Sequence, residues 1–293
     1  MNLWIKLGAM VASLATNEVT CRPHRRLISP VSTAMKNPWR KKSNRLAPPG
    51  QRQAFTLIEL LVVIAIIAIL AALLMPALTA AKFRAQVARC TSDYRQWGVA
   101  VNLYANEDAT GRFPRFDDGS LNNTWDLDPR MISSLGRYGL TVPMWYCSVR
   151  PNEFAADDTY CRQTLGHPLL SLADLTSAVT RAYGPQLAVC YHAWWVPRNG
   201  NAGTTGGYYP VNPTNNTPWP RSMADQIAAS LPILTDRAAS LDNPDPLALG
   251  AGSGHPLNGK LKNMNLLFGD SHVELHDISE VRMNFHGNYY NFY

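Results

Sequence analysis

A single carboxylate, Glu59, lies near the start of a long apolar run from Leu57 to Leu78. Between Leu60 and Met75 no side chain carries a charge or a hydrogen-bonding group. A charge in such surroundings is costly, and by default it indicates a functional partner. The sequence therefore predicts that Glu59 interacts with such a partner.

A second group of residues near the C-terminus could bind a metal or transfer protons. Its members are His255, Asp270, His272, His276 and Asp277. If residues 271–277 form a strand, His272 and His276 share one face of it, as any such pair on a long strand does. Because an aspartate at a hairpin tip is commonly turn chemistry, we predict no metal site here.

The motifs of nucleophilic and nucleotide chemistry are absent from the sequence. There is no G-x-S-x-G motif, and the cluster from Gly203 to Gly207 lacks the lysine and the helix of a phosphate-binding loop. No pair of cysteines forms a CxxC motif. We therefore predict that the chain is not an enzyme.

Four cysteines follow the apolar run, and their number leaves two interpretations open. They are Cys90, Cys147, Cys161 and Cys190. In an exported domain an even number is compatible with two disulfides, whose connectivity cannot be deduced from the sequence. The alternative is four free, buried thiols.

The apolar run must form a helix that crosses a membrane. Its 22 residues, at about 1.5 Å each, span roughly the 30 Å hydrocarbon core of a bilayer. Beyond it, apolar residues recur in steps of four and three and predict one buried helix face. That face comprises Phe83, Val87, Cys90, Tyr94, Trp97, Val101 and Tyr104. Pro76 removes a backbone donor within the helix and should bend it or melt it locally.

The charge distribution predicts the orientation of this helix. Residues 1–54 hold ten of the Lys and Arg residues and one of the acidic residues, a net charge of +9, whereas the whole chain has +6. The remainder is therefore weakly acidic, which removes the main support for nucleic-acid binding. Basic residues before the span predict a cytoplasmic N-terminus and an exported C-terminal part.

The exported part should combine short helices with strands. We predict helices over Asp126–Gly139, Ser171–Tyr183 and residues 222–231, strands over Thr141–Ser148 and Leu187–Val196, and a hairpin over Asn263–Leu275. The hairpin should turn at Gly269-Asp270, because glycine accepts a positive φ. Two aromatic pairs, Trp194-Trp195 and Tyr208-Tyr209, could line a sugar-binding face or belong to the core. The aromatic C-terminus, residues 285–293, could be a subunit-contact surface or a docked tail.

The segment from Gln53 to Ala81 resembles the prepilin signature of type IV pilins and type II secretion pseudopilins. The resemblance implies that prepilin peptidase cuts between Ala54 and Phe55 and methylates the new amine. It also implies that Glu59 neutralises the amine of a neighbouring subunit during assembly. Alanine at position 54 replaces the usual glycine, and we expect cleavage to persist.

The resemblance implies an α+β, pilin-like fold in which a long N-terminal helix packs on an antiparallel sheet. We expect a leader over 1–54, a transmembrane helix over 55–78, its amphipathic continuation over 79–108 and an exported domain over 109–293. Family leaders are short, so translation is expected to start at Met35 rather than Met1.

The implied partners are the peptidase, other pilin or pseudopilin subunits, the assembly platform and the inner membrane. The protein would first be a single-pass inner-membrane protein and then part of a pilus or pseudopilus. The alternative is an anchored surface domain that binds glycan or cargo.

The region from Ala80 to Arg115 is similar to a second, pilin-like group, through Cys90, Gln96, Tyr104, Asn106 and Phe113-Pro114. That group carries a C-terminal segment of a histidine, about nine residues, and Asp-Gly. His255 and Asp270, with His272 beside them, are the corresponding residues here, although fourteen residues intervene and Ser271 replaces the glycine. No cofactor is expected; by analogy with major pseudopilins, any ion bound at Asp270 or Asp277 would be Ca²⁺.

Overall fold

The computed structural model describes residues 56–116, 123–185, 187–197, 219–250, 252–286 and 289–293. Its first element is a helix, α1 (Leu57–Glu107), that is 51 residues long. The second half of α1 is amphipathic, as predicted. Most of the predicted face is buried, and Phe83 and Tyr104 at its two ends are half-buried.

In the described part of the chain, three antiparallel sheets follow α1. A two-stranded sheet joins β1 (Asp126–Leu127) to β2 (Ala188–Val189). The five-stranded sheet contains β3 (His192–Trp194), β4 (Pro232–Asp236), β6 (His255–Leu257), β7 (Lys260–Phe268) and β8 (Val273–Asp277). A three-stranded sheet has the order β5 (Ala239–Ser240), β10 (Tyr290–Phe292) and β9 (Met283–His286). The fold is therefore α+β, with a long N-terminal helix followed by antiparallel sheets.

The long strand β7 organises the five-stranded sheet. Strand β4 pairs with its C-terminal part, where Thr235 lies opposite Leu266, and β6 pairs with its N-terminal part, where His255 lies opposite Asn263. Strand β8 pairs with β7 from Asn263 to Leu267, so it occupies the other edge. Because β4 and β6 share one edge of β7, the end of β4 and the start of β6 meet there. The second half of α1 contacts β7 and β8.

Three helices and two 3₁₀ turns complete the described elements. They are α2 (Arg130–Gly136), α3 (Pro151–Thr164), α4 (Leu172–Thr180), and the 3₁₀ turns Val142–Trp145 and Pro246–Ala248. Ser171 and Asp174 form a capping box at the start of α4, which accounts for its sharp beginning. The main core lies between these helices, α1 and the five-stranded sheet, and Trp97, Trp145 and Trp194 are fully buried in it.

Several local predictions are confirmed. The hairpin forms from β7 and β8, α4 lies within the predicted range, and β2 and β3 lie within Leu187–Val196, interrupted at Cys190 and Tyr191. The helix predicted over Asp126–Gly139 is shorter, because Asp126 and Leu127 pair with β2 instead.

Other local predictions are wrong. The strand predicted over Thr141–Ser148 is a 3₁₀ turn, in which Pro143 has no N–H for a ladder. The helix predicted after Ser222 is a series of turns, because the Asp225 carboxylate accepts backbone N–H bonds from Arg221 and Ser222. Helix α3 was not predicted.

The four cysteines of the described region are buried, and none of them forms a disulfide. The interpretation with two disulfides is therefore wrong for this structure. The sulfurs of Cys90 and Cys147 are nevertheless neighbours, 3.8 Å apart, well beyond bonding distance.

Candidate functional site

The first half of α1 exposes an apolar surface on all sides. An 18-residue window within it is 0% buried, and in the described part of the chain α1 is the one helix long and apolar enough to cross a membrane. Leu57 is 80% exposed and Leu73 is 72% exposed. Water is a poor environment for so much apolar surface, so this half of α1 must lie in lipid or against other apolar helices.

Glu59 lies in the first turn of α1 with its side chain on the exposed surface. A carboxylate in the first turn is stabilised by the partial positive charge of the helix N-terminus. The predicted cleavage and methylation site, Ala54 and Phe55, lies outside the described residues.

Helix α1 continues through Pro76, with helical residues on both sides. One turn later, the Thr79 hydroxyl donates a hydrogen bond of 3.0 Å to the carbonyl of Met75. The helix therefore does not melt at Pro76 here, and the role of this residue as a flexible break stays a prediction.

The second half of α1 is clamped to the domain by polar contacts as well as by packing. Gln86 Nε2 donates to the carbonyl of Ser148 (3.0 Å), and Ser148 Oγ donates to the carbonyl of Gln86 (2.6 Å). Three turns further along, the buried Trp97 donates to the carbonyl of Met144 (2.8 Å). The apolar half of α1 is thus continuous with a half that belongs to the folded domain.

The C-terminal hairpin turns at Gly269-Asp270, but the backbone reason differs from the predicted one. The residue with positive φ is Ser271 (φ +74°), not Gly269. Gly269 is required for close approach, since a Cβ built there would lie 2.9 Å from the Cβ of Ala228 and 3.0 Å from Phe113 Cζ. The glycine therefore allows the hairpin to pack against a neighbouring loop.

Asp270 is exposed, His272 is half-buried, and both serve the turn. The Asp270 carboxylate accepts from the backbone N–H of His272 (3.2 Å) and contacts Nδ1 of its ring. That ring stacks on Phe268, with centroids 4.2 Å apart. On the same face of β8, Glu274 bridges His272 and His276. These contacts are the turn chemistry that the sequence favoured.

His255 is fully buried and far from Asp270. It lies opposite Asn263 on β7, and the turn begins six residues later, which is about 20 Å along a strand. The structure therefore does not bring His255 together with Asp270 and His272, and a metal or acid–base cluster of these residues is not formed.

Instead, His255 lies with three residues that the sequence analysis did not combine with it. We call these four residues the thiol–histidine cluster: Cys90, Cys147, Asp236 and His255. Each offers one ligand atom, and the four atoms lie within 4.8 Å of one another in the protein interior. The spacing of these residues in the sequence gave no signal, because they come from four separate elements.

An acid–base pair lies at the centre of the thiol–histidine cluster. His255 Nε2 is 3.1 Å from Asp236 Oδ2. Burial alone would lower the pKa of His255, but the Asp236 carboxylate raises it to about 10. Against the effect of burial, the same imidazole lowers the pKa of Asp236. As an ion pair, the two groups would be strongly coupled.

The aromatic residues considered as binding surfaces belong to the core where they are described. Trp194 and Trp195 are both buried, and Trp195 contacts Trp219 and Tyr293. Strands β9 and β10 dock the C-terminal segment against β5, so the tail is packed. Tyr208 and Tyr209, and the cluster from Gly203 to Gly207, lie outside the described residues.

Comparison with protein families identifies the N-terminal segment. The model of the prokaryotic N-terminal methylation motif matches residues 50–75. The chain therefore carries a prepilin-type N-terminal methylation motif, which leads into the apolar half of α1. The comparison does not identify the C-terminal segment predicted around His255 and Asp270. No curated protein and no solved structure matches the chain.

Proposed function

We propose that this chain is a structural subunit of the prepilin or pseudopilin type, rather than an enzyme. Prepilin peptidase would remove residues 1–54, and the mature subunit would assemble into a type IV pilus or a type II secretion pseudopilus. The observation that carries the proposal is the methylation motif at residues 50–75, placed at the start of a helix whose first half is apolar and exposed.

The exposed apolar surface supports both stages of this function. In the inner membrane, Leu57–Leu78 would span the hydrocarbon core, with the basic leader in the cytoplasm and the domain exported. In a fibre, the same surface would pack against equivalent helices of other subunits. Because this apolar surface packs about as well against lipid as against other apolar helices, the subunit can move from the membrane into a fibre.

Glu59 supports the second stage specifically. Cleavage before Phe55 would create a terminal amine near the start of α1, and a carboxylate and an ammonium in an apolar fibre core are far less costly together than apart. We propose that Glu59 pairs with the amine of a neighbouring subunit. Glu59 lies in the first turn of the helix, four positions after Phe55, where cleavage would create such an amine.

N-terminal mass spectrometry of the membrane-bound protein tests the proposal directly. The chain is produced with and without an active prepilin peptidase, and the N-terminal peptide is sequenced. We expect a methylated Phe55 only with the active enzyme. The variant Ala54→Gly restores the usual residue before the cut and should be processed at least as fast. An intact leader on both proteins, with active peptidase present, would contradict the proposal and leave an ordinary signal anchor.

A further inference from the structure

The thiol–histidine cluster has the geometry of a closed metal site. The distances between its ligand atoms include 3.8 Å for Cys90 Sγ to Cys147 Sγ, 3.9 Å for Cys90 Sγ to Asp236 Oδ1, and 3.1 Å for His255 Nε2 to Asp236 Oδ2. Zinc binds sulfur at about 2.3 Å and nitrogen or oxygen at about 2.0–2.2 Å, at tetrahedral angles. In such a site two sulfur ligands lie about 3.8 Å apart, and a nitrogen and an oxygen ligand lie about 3.3–3.5 Å apart. The sulfur–sulfur and nitrogen–oxygen separations lie within about 0.4 Å of these values, and Cys90 approaches the other carboxylate oxygen of Asp236. The four ligand atoms as a set lie within 4.8 Å of one another, so they would close around one ion by up to about 1 Å.

The fold brings these ligands together by a specific route. Asp236 ends β4 and His255 begins β6, and both strands lie on the same edge of β7, so the two side chains meet where one strand stops and the other starts. Cys90 comes from the buried face of α1, and Cys147 from the segment after the 3₁₀ turn. All four residues are at most 1% exposed. A site closed in this way is typical of structural rather than catalytic zinc.

The contacts around the cluster orient its ligands. Asn263 Oδ1 lies 2.8 Å from His255 Nδ1, which places the ring proton there and leaves Nε2 directed into the cluster. The backbone N–H of Asn265 donates to Asp236 Oδ2 (2.8 Å) and fixes the carboxylate. Hydrogen bonds that orient the ligands are characteristic of metal sites. The commonest is a hydrogen bond to the ring nitrogen of a ligating histidine that does not bind the metal.

The charge around the cluster also suits a divalent cation. Two thiolates and one carboxylate around a divalent ion leave one net negative charge. Arg150 is 4% exposed and is held by hydrogen bonds to the carbonyls of Tyr191 and Gly252. Its positive charge acts on Asp236 of the cluster as well as on the Glu153 carboxylate, 3.4 Å away. Thiolate ligands exclude Ca²⁺, which prefers oxygen, and four N, O and S ligands in a tetrahedron favour Zn²⁺.

We propose that the thiol–histidine cluster binds one structural Zn²⁺ ion, which ties helix α1 to the five-stranded sheet. The site is independent of the proposed fibre assembly, since it lies entirely within the folded domain. The competing outcomes are a metal-free ion pair between His255 and Asp236, and oxidation of the adjacent thiols of Cys90 and Cys147 to a disulfide.

The first test measures zinc in the full-length chain, purified in detergent under reducing conditions without chelator. Elemental mass spectrometry should find about one zinc ion per folded chain, as a single tetrahedral site requires. The variant Cys147→Ser should lose the ion, whereas Cys161→Ser, a matched change at another buried, free cysteine, should retain it. The variant His276→Ala, which alters a half-buried histidine of β8 outside the cluster, should also retain it.

The second test uses the wild-type chain, so it does not depend on the folding of a variant. Zinc is exchanged for Co²⁺, and absorption bands of thiolate-to-cobalt charge transfer and of tetrahedral cobalt are expected. The variant Asn263→Ala, which removes the orienting contact to His255, should weaken metal affinity by about 10- to 100-fold without abolishing the bands.

Three results would overturn the proposal. The first is a reduced, folded wild-type chain that takes up neither zinc nor cobalt. The second is a disulfide between Cys90 and Cys147, found by peptide mapping of the protein from its native compartment. The third is retention of zinc in Cys147→Ser together with its loss in His276→Ala, which would place the ion on the surface of β8.

Discussion

Asp157 is the buried acceptor that holds helix α3 to the rest of the domain, and its removal gives the sharpest stability prediction. Its carboxylate is 0% exposed and accepts hydrogen bonds from the hydroxyls of Tyr146 (2.7 Å) and Tyr191 (3.1 Å). It also forms an ion pair of 2.6 Å with Arg181, which follows α4. One side chain thus satisfies three donors from three segments.

The variant Asp157→Ala leaves these donors without their acceptor. Breaking a buried ion pair by removing one partner costs about 3–5 kcal/mol. Arg181 is 35% exposed and can be rehydrated, which favours the lower end, about 3 kcal/mol. For a domain of this size that is a decrease in Tm of about 6–12 °C.

The neighbouring variant Asp158→Ala is the matched control. Asp158 pairs with the exposed Arg162 one turn away and accepts from the backbone N–H of Leu169 (2.9 Å). Because such surface contacts are screened by water, their loss should destabilise the domain far less than the loss of Asp157.

Urea unfolding of the full chain in detergent, followed by tryptophan fluorescence, measures both variants. The buried tryptophans of the main core report on loss of the domain. If Asp157→Ala unfolds within about 1 kcal/mol of the wild type, or if the two aspartate variants are equally destabilised, the buried network does not hold α3 as described.

Three further predictions concern packing, pH and assembly. Gly269→Ala should destabilise the domain by about 1–3 kcal/mol, because the added Cβ clashes with Ala228. The control Gly252→Ala should be near neutral, because a Cβ there meets nothing within 4 Å. Thermal unfolding of both variants distinguishes the two outcomes. Burial raises the pKa of Glu153 to about 7, so the folded state binds this proton more tightly than the unfolded state does. The resulting contribution to the free energy of unfolding is fully present below about pH 4.5. As the pH rises through 7, about 3 kcal/mol of it is lost. Glu153→Gln should flatten that part of the unfolding free energy against pH, and an unchanged slope would contradict the assignment. Glu59→Ala should leave membrane insertion intact and abolish fibres seen by electron microscopy, and normal fibres would show that the carboxylate is dispensable.

The sequence predicts the elements whose signals are local. The apolar run and the three–four spacing after it determine α1, and Ser171 and Asp174 mark the start of α4. The hairpin follows from two alternating runs around Gly269-Asp270. Its turn conformation could not be predicted, because Gly269 is required by Ala228, more than 40 residues earlier in the chain.

The thiol–histidine cluster could not be predicted for the same reason. Cys90 and Cys147 are separated by 57 positions, and Cys90 and Asp236 by 146. In the sequence, Cys90 is one apolar position on a helix face and Asp236 follows a short strand. Only the pairing of β4 and β6 along one edge of β7 places a carboxylate beside an imidazole there, and strand pairing of that range leaves no local signal.

The position of Cys90 on α1 bears on how the subunit would leave the membrane. Twelve residues, or about 18 Å of helix, separate Leu78 at the end of the apolar run from Cys90. Within that interval the contacts to the domain include the clamp between Gln86 and Ser148, the buried Val87 and the half-buried Phe83. With zinc at Cys90, the helix beyond this point cannot slide along the sheet without breaking a metal bond. We therefore expect the helix and the domain to move into a fibre as one body, with bending confined to the turns between Pro76 and Gln86.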